Sequence, residues 1–371
     1  MNKKKILFVA SIPNHIKAFH LPYLQWFKDN GYETHIATNG PLESPCIDKF
    51  HIVDFSRSIY SKDNFKAFFQ LKKIVEREQY DLINCHTPIA GAITRMASYR
   101  ARKNGTKIIY TAHGFHFYDG APFRNWLFFY PIERLLTRYT DALITINTED
   151  YRRIKRIGSS RCKYFLINGI GVDSDKFFPK KRGAKELFST KKNIVLTYVA
   201  RLEKEKGHHF LIDSIIRNKD TFEGIKIQFV GDGYFRDELK QKVSHNGLGN
   251  IVSFLGFRED IPEIFRDSDF VLSASEREGL PINIVEGLLT GLPAIATINR
   301  GHLELIDNEC NGFLFPINDE KMFIEIIKKV KSKKYNYEKL SENALQKAVK
   351  FSLNSSLDKI TKIYQEILGI K

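Results

Sequence analysis

Short apolar runs alternate with longer amphipathic stretches along almost the whole chain. The apolar runs have the length and the β-branched and aromatic content of buried strands. They are KKILFVAS, YETHIAT, YDLINCH, TKIIYTAHG, DALITIN and YFLING in the first half, and NIVLTYVARL, IKIQFVGDG, IVSFLG, DFVLSAS and LPAIAT in the second. Intervening segments such as NFKAFFQLKKIVERE and FRDELKQKVSHN have helical spacing. This alternation is typical of parallel sheets with helices on both faces, so we predict an α/β fold.

The pattern breaks in the segment FFPKKRG, between Phe178 and Arg182. A chain of 371 residues is long enough to form two cores. We therefore predict two doubly wound, Rossmann-like domains, residues 1–180 and 181–352, that face each other across a cleft. Residues 353–371 predict a last amphipathic helix that packs back across the domain junction. Its apolar face comprises Leu357, Ile360, Ile363, Tyr364, Ile367 and Leu368.

The composition favours a protein of the cytoplasm. Cys46, Cys85, Cys162 and Cys310 are isolated, and no Cys/His spacing indicates a zinc site. The first apolar run, from Ile6 to Ala10, is shorter than the core of a signal peptide. No run approaches the roughly 18 apolar residues of a membrane span. We expect a soluble or peripheral protein.

Basic residues concentrate in the N-terminal half. Residues 1–180 carry 28 Lys and Arg against 16 Asp and Glu, which accounts for +12 of the total charge of +15. Segment 121–139 combines aromatic and basic residues, namely Phe123, Trp126, Phe128, Phe129 and Tyr130 with Arg124, Arg134 and Arg138. It predicts either a core helix, kinked or restarted at Pro131, or an interfacial surface for a lipid-linked acceptor. Together with the positive charge of the N-terminal half, this segment makes the anionic inner face of the cell membrane an expected partner. No motif supports the binding of nucleic acid.

Two glutamates, Glu278 and Glu286, lie in the segment SEREGLPINIVEG. Proline fits the first turn of a helix, so Pro281 places Glu278 in the preceding loop and Glu286 about a turn and a half inside the helix. The N–H groups at this helix start, with Leu280 beside them, point toward any bound anion. Two carboxylates for sugar hydroxyls beside a phosphate site form the combination that a nucleotide sugar requires.

Basic side chains follow other strands of the same predicted domain. Arg201 and Lys206 come after TYVA, where a guanidinium fork and an ammonium can neutralise a diphosphate. Arg258 follows IVSFLG, where we expect the nucleobase. Ligands of doubly wound domains bind beyond the carboxyl ends of the strands. We therefore expect these side chains and the two glutamates to converge on one ligand.

Polar side chains take corresponding positions in the N-terminal domain. His113 follows the strand IIYTA, His86 ends the strand INCH, and Asn14, His15 and His20 follow the first strand. A single histidine is more often structural than catalytic, so for His113 both interpretations stay open. We expect these side chains to line one wall of the cleft, opposite the glutamates.

Three features of the sequence resemble the retaining glycosyltransferases of family 4, which have the GT-B fold. They are the pair Arg201/Lys206, the spacing Glu278-x7-Glu286 and the segment TAHGFHF. The phrases HTPIAG and YTAHGFHF resemble the capsular and exopolysaccharide branch of that family, some members of which add N-acetylhexosamines to lipid-linked oligosaccharides. The resemblance spans nearly the whole chain. It implies transfer of a hexose or N-acetylhexosamine from a nucleotide sugar, by analogy a UDP-sugar, to a polyprenyl-diphosphate-linked saccharide.

The resemblance also implies roles in binding the donor. Arg201 and Lys206 would hold the donor diphosphate and stabilise its leaving charge, which is the preorganised electrostatic effect that often dominates catalysis. Glu286 would hydrogen-bond the nucleotide ribose. The family needs no metal, and no convincing DxD motif is present, so we expect no metal and no cofactor.

Further roles concern the transferred sugar. Glu278 would contact its hydroxyls, with help from the backbone of Gly279, Leu280 and Pro281. His113 would lie near the reacting carbon and the C6 hydroxyl. Retention is expected through front-face attack within a loose ion pair. A covalent route needs a carboxylate beneath the anomeric carbon, and we predict that Glu278 does not reach it.

One departure concerns the loop after the first strand, where many relatives carry a Gly-Gly pair. Here the segment is SIPNHIKAFH, without glycine. We therefore assign Asn14, His15, His20 and His86 to the acceptor. The alternative function is a GT-B-type sugar-nucleotide epimerase, which would use the same cleft without an acceptor. A non-catalytic basic module for nucleic acid or another polyanion is a second rival, but it leaves the glutamate pair unexplained.

Overall fold

A computed structural model describes residues 3–56, 58–179 and 193–370. The chain forms two compact units, residues 1–171 with 354–371, and residues 172–353. The division falls before the predicted boundary because the segment from Val172 belongs with the second unit. Val172 N donates to Phe351 O at 3.0 Å, and Phe177 packs beside Phe265 in the core of that unit. The predicted break at residues 180–182 lies outside the described residues.

In the first unit, the described residues form a parallel sheet of seven strands in the order β3-β2-β1-β4-β5-β6-β7. The order reverses between β1 and β4, which defines a topological switch point. The strands are β1 (Lys5–Val9), β2 (Glu33–Thr38), β3 (Lys49–Ile52), β4 (Leu82–His86), β5 (Lys107–Ala112), β6 (Ala142–Thr145) and β7 (Lys163–Leu166). The helices are α1 (Pro13–Phe19), α2 (Leu21–Asp29), α3 (Asp63–Glu78), α4 (Pro88–Ala97), α5 (Tyr99–Lys103), α6 (Phe123–Leu136) and α7 (Thr148–Ile157).

In the second unit, the described residues form a parallel sheet of six strands in the order β10-β9-β8-β11-β12-β13, with its switch point between β8 and β11. The strands are β8 (Ile194–Val199), β9 (Ile225–Val230), β10 (Val252–Gly256), β11 (Phe270–Ser273), β12 (Ala294–Thr297) and β13 (Gly312–Phe315). The helices are α8 (His208–Arg217), α9 (Arg236–His245), α10 (Ile261–Arg266), α11 (Ile282–Leu289), α12 (Arg300–Leu305), α13 (Glu320–Ser332) and α14 (Tyr337–Ala348).

Both faces of the second sheet are covered, as the continuous apolar runs predicted. Neighbouring residues of a strand point to opposite faces. Accordingly Phe270 and Leu272 belong to one buried cluster, whereas Val271 between them belongs to another. All three side chains are fully buried. This double coverage explains why the inner strands β11 and β12 are buried along their whole length, whereas β9, next to the edge strand β10, alternates with Lys226 and Gln228.

The last helix, α15 (Leu353–Leu368), packs on the first unit from residue 354 onward. Asn84 Nδ2 donates to the hydroxyl of Tyr364 at 2.7 Å, and the Tyr364 ring packs against Phe27. Lys163 and Glu366 add an ion pair of 2.8 Å. The last helix therefore packs on the first unit with the apolar face that the sequence predicted.

Three elements differ from the sequence prediction. The segments KFHI and GFLF form β3 and β13, which we did not predict, and both are edge strands. Three of the four residues of β3 are exposed, so its sequence lacks a buried run. The predicted loop SIPNHIKAFH instead forms α1, because Pro13 is well placed in the first turn of a helix.

Candidate functional site

The second unit brings a basic and an acidic side chain together at its switch point. The loops after β8 and β11 lie beyond adjacent carboxyl ends of the sheet. Lys206, on the first loop, donates from Nζ to Oε1 of Glu278, on the second, at 2.6 Å. The side chains are partly buried, with 21% and 16% of their surfaces exposed. Two of the residues that the sequence predicted to converge are therefore in direct contact.

The backbone under this ion pair is held by close packing. Gly207 has a φ of +70°, and a Cβ at this position would lie 2.3 Å from the carbonyl oxygen of Ala274. The buried hydroxyl of Tyr198 donates to Lys206 O at 2.8 Å and lies 2.9 Å from Ser275 Oγ. Only glycine permits this approach without displacing backbone. The loops that carry Lys206 and Glu278 are thus fixed relative to each other.

Glu286 occupies the helix that follows the Glu278 loop. Helix α11 begins at Ile282, directly after Pro281, so Glu286 is its fifth residue. Burial raises the pKa of the Glu286 carboxyl to about 8. Among the described residues no side chain forms an ion pair or hydrogen bond with this carboxyl. At neutral pH the group is mostly protonated, so it can donate a hydrogen bond as well as accept one.

Helix α12 supports the Glu278 loop, a contribution that the sequence analysis missed. Asn299 caps the helix by accepting from the backbone N–H of Gly301 at 3.0 Å. A Cβ on Gly301 would lie 2.8 Å from the Cβ of Glu278. Arg300 Nε donates to the carbonyl of Glu278 at 3.3 Å. The signal in the sequence was Asn299 shortly after the predicted strand LPAIAT, because asparagine is a favoured residue at a helix start.

Two predicted donor-binding arginines lie apart from this ion pair. The Arg201 side chain is 67% exposed, and its guanidinium is 3.8 Å from Glu203. Arg258 follows the edge strand β10 and pairs with Asp260. Among the described residues neither arginine contacts Lys206 or Glu278. The structure thus places Arg201 at the same sheet edge as Lys206 but does not show the convergence that we expected for all these side chains.

In the first unit, four histidines gather at the switch point. His15 lies on α1, His20 between α1 and α2, His86 at the end of β4 and His113 after β5. His15 Nε2 is 3.3 Å from His113 Nε2, which is 3.5 Å from His86 Nδ1. The rings of His20 and His86 stack with centroids 3.7 Å apart. Burial, and then the neighbouring histidines, hold the pKa values of His20 and His86 well below the usual range of histidine.

This arrangement corrects part of the acceptor assignment. His20 and His86 are each 1% exposed, so they lie beneath the surface and cannot line an open wall. Asn14 is exposed and His15 is partly exposed. His15 also lines a cavity of about 380 Å³ together with Thr87 and residues of α6 and its preceding loop. Asn14 and His15 thus remain accessible to a ligand of the first unit.

Helix α6 has two apolar faces with different environments. It runs from Phe123 to Leu136 without interruption at Pro131. Trp126, Phe129 and Tyr130 pack against the core of the first unit. The opposite face is solvent-exposed and comprises Phe123, Leu127, Phe128, Ile132 and Leu135, which are 79%, 59%, 58%, 48% and 50% exposed. Within the described ranges no helix is both long and apolar enough to cross a membrane.

Two family models match the chain, Glycosyl transferase 4-like over residues 5–147 and Glycosyl transferases group 1 over residues 180–347. The putative glycosyltransferase EpsD of Bacillus subtilis (strain 168) is 38% identical over 99% of this chain and 98% of the relative. The UDP-Gal:alpha-D-GlcNAc-diphosphoundecaprenol alpha-1,3-galactosyltransferase of Escherichia coli is 30% identical over 89% and 87%, respectively.

The fold has counterparts among solved structures. The crystal structure of Anabaena Alr3699/HepE in complex with UDP and glucose has a TM-score of 0.78 over 98% of this chain and 100% of that one, at 22% identity. This likeness concerns the fold, two Rossmann-like units of the GT-B type. The family models and the full-length relatives carry the assignment further. The chain belongs to the family 4-like glycosyltransferases with the GT-B fold.

Proposed function

We propose that the protein transfers a hexose or N-acetylhexosamine from a UDP-sugar to a polyprenyl-diphosphate-linked saccharide, with retained anomeric configuration, in capsule or exopolysaccharide synthesis. The observation that carries this proposal is the Lys206–Glu278 contact at the switch point of the second sheet. The relative from Escherichia coli, whose name specifies a UDP-sugar donor and a diphosphoundecaprenol-linked acceptor, supports this choice of substrates.

The donor would replace one ion pair by another. The Lys206 ammonium is bound to Glu278 at 2.6 Å. An incoming diphosphate competes for the ammonium, and the carboxylate that it releases can then accept hydrogen bonds from the sugar hydroxyls. Negative charge builds on the diphosphate as the glycosidic bond breaks, and Lys206 with the N–H groups at the start of α11 stabilises that charge. This chemistry requires no metal ion, so we propose metal-independent transfer.

The remaining donor contacts follow the helix. Glu286, mostly protonated before donor binds, would hydrogen-bond the ribose hydroxyls, and the backbone of Gly279, Leu280 and Pro281 would approach the sugar. Arg201, whose side chain is 67% exposed, would turn to the diphosphate. His113 would act on the transferred sugar, with retention arising from front-face attack in a loose ion pair.

A donor screen tests the proposal. The protein is incubated with UDP-, GDP- and ADP-sugars and a lipid-diphosphate saccharide, and products are identified by mass spectrometry. We expect transfer from a UDP-sugar and no epimerised sugar nucleotide when the acceptor is left out. Free epimer formed without acceptor would favour the epimerase instead, and the absence of nucleotide-sugar binding in calorimetry would contradict both enzymes.

Lys206→Ala tests the stabilisation of the leaving group. Removing one preorganised charge-stabilising donor costs on the order of 100- to 1,000-fold in kcat. We expect a loss of this size with an unchanged circular dichroism spectrum. Lys204→Ala, two residues away at an exposed position, is the matched control and should retain activity. Near-wild-type turnover of Lys206→Ala would contradict the role of Lys206.

We also propose peripheral attachment to an anionic membrane through the exposed face of α6. Exposed phenylalanine and leucine side chains lie next to exposed Arg124 and Arg134, a combination suited to the interface of an anionic bilayer. Flotation with phosphatidylglycerol vesicles at low salt should recover the wild type, and serine at positions 123, 127 and 128 should abolish recovery. Phe65→Ser, an equally exposed apolar position on α3, is the control. No flotation of the wild type would refute this attachment.

A further inference from the structure

We propose that His15, His20, His86 and His113 form a binding site for a divalent d-block cation, with zinc as the best-matched ion. One ring nitrogen from each of the four lies within 4.8 Å of those of the other three. The histidines come from three separate strand-end segments, which the switch point of the first sheet brings together. The site lies wholly within the first unit.

The distances between nitrogens favour a shared cation over hydrogen bonds. His15 Nε2 and His113 Nε2 are 3.3 Å apart, and His113 Nε2 and His86 Nδ1 are 3.5 Å apart. These separations exceed the usual N–H···N range and make weak hydrogen bonds. Zinc–nitrogen bonds of about 2.0–2.1 Å in a tetrahedron place the nitrogens roughly 3.3–3.4 Å apart. The spacing of the three nitrogens is therefore close to the edge of a tetrahedral zinc site.

Unpartnered buried nitrogens point to the same conclusion. Nε2 of His20 and Nε2 of His86 are both buried and have no hydrogen-bond partner. Leaving a buried polar atom unpaired costs about 1–3 kcal/mol, so two such atoms in one cluster require compensation. The two rings stack with their centroids 3.7 Å apart, and each centroid lies within 5.9 Å of those of His15 and His113. A cation that accepts the in-plane lone pair of His20 Nε2 would give that buried nitrogen a partner, with His86 ligating through Nδ1.

The donor set decides which cation fits. Four imidazoles supply nitrogen ligands without a carboxylate, which suits zinc, copper or nickel and disfavours magnesium and calcium. The donor set of the cluster therefore fits zinc.

Zinc would act as an inhibitor and not as a cofactor. Because the proposed function assigns His113 to the transferred sugar, a metal that occupies its Nε2 lone pair would remove it from that role. Activity measured in EDTA should therefore be maximal and should fall when zinc is added. This consequence rests on the proposed function, but the binding site itself does not.

Metal binding is tested first without any substrate. The full chain, without a polyhistidine tag and stripped with EDTA, is titrated with Zn²⁺ in a calorimeter and with Co²⁺ in a spectrophotometer. We expect one equivalent of Zn²⁺ and the intense visible absorption of four-coordinate cobalt. His20→Asn and His86→Asn should each weaken zinc binding by at least about tenfold. His245→Asn, at an exposed position on α9, should leave binding unchanged.

Thermal melting of each metal-free variant shows whether it is folded. If the His20 or His86 variant does not fold, His15→Asn, at a partly exposed position, is used in its place. Absence of zinc binding in the wild type would overturn the site, as would equal affinity in the folded cluster variants and the His245 control. These results do not depend on enzymatic activity. Zinc binding with no transfer in EDTA would count against the proposed function and leave the metal site intact.

Discussion

Glu286 allows a quantitative test of the proposed donor site, because burying its carboxyl has a cost in stability that depends on pH. Burial raises its pKa from 4.5 to about 8 in the folded chain. Between these values the unfolded chain has released the proton and the folded chain retains it. Stability therefore falls as pH rises through this window, by about 1.4 kcal/mol per pH unit. Below pH 4.5 both states are protonated and the cost disappears.

Glu286→Gln removes this cost while preserving the shape of the protonated acid. At pH 7, which lies 2.5 units above the pKa of the unfolded chain, the loss of stability is roughly 3 kcal/mol. Above pH 8 the full difference between the two pKa values applies, and the loss is about 5 kcal/mol. We expect the variant to be more stable than the wild type by these amounts. At pH 4 the two proteins should have nearly equal stability. This gain would mark Glu286 as a group kept at the expense of stability, as expected for a ligand-binding residue.

Urea unfolding at pH 4, 7 and 8.5, followed by fluorescence and circular dichroism, measures the difference. The two units can unfold separately, so the transition assigned to the second unit is the relevant one. Glu325→Gln, on the exposed face of α13, controls for the chemical change itself. A difference between Glu286→Gln and the wild type that is the same at all three pH values would refute a desolvated carboxyl at this position.

Three further substitutions test the contacts around the two sheets. Glu278→Gln should weaken turnover of the nucleotide sugar but bind UDP at least as tightly as the wild type in calorimetry, because Lys206 loses its competing carboxylate; weaker UDP binding would contradict the exchange of ion pairs. Gly207→Ala should lower stability by about 1–3 kcal/mol and abolish donor binding, because φ is +70° and the new Cβ would meet backbone at 2.3 Å; unchanged melting would show that the loop adapts. Arg95→Met should lower the free energy of unfolding by about 3–5 kcal/mol, because it removes hydrogen bonds of 2.8 and 3.1 Å and leaves the buried Glu133 carboxylate unpaired. Adding Glu133→Leu to the same chain should recover part of this loss in urea unfolding.

The sequence was sufficient for the architecture because the information is local and repeated. Continuous apolar runs separated by amphipathic segments predict covered parallel sheets, and both faces of the second sheet are covered. The two missed strands, β3 and β13, are edge strands of four residues each; β3 is mostly exposed and lacks an apolar run, whereas β13 is apolar but short. The segment after β1 was predicted as a loop because many relatives carry a Gly-Gly loop at this position, and the preference of Pro13 for a helix start was overlooked.

The site was only partly predictable for a different reason. The topological rule brings residues after β8 and β11 to one edge, and Lys206 and Glu278 indeed meet there although 72 positions separate them. The rule does not specify side-chain direction, which depends on neighbours such as Gly207 and Gly301. It therefore did not reveal that Arg201 points toward Glu203. Nor did it reveal that His20 lies beneath the surface, since burial depends on how α1 folds over the sheet end.

The two switch points differ in charge, although the same rule of topology creates them. At the second sheet the Lys206 ammonium and the Glu278 carboxylate form an ion pair of 2.6 Å, and the ammonium is the group that we propose for a polyanionic ligand. At the first sheet imidazoles are buried together, and burial favours their neutral form. A neutral cluster attracts no diphosphate but offers lone pairs to a cation or a proton. Our proposals therefore assign phosphate binding to the second unit and lone-pair chemistry to the first.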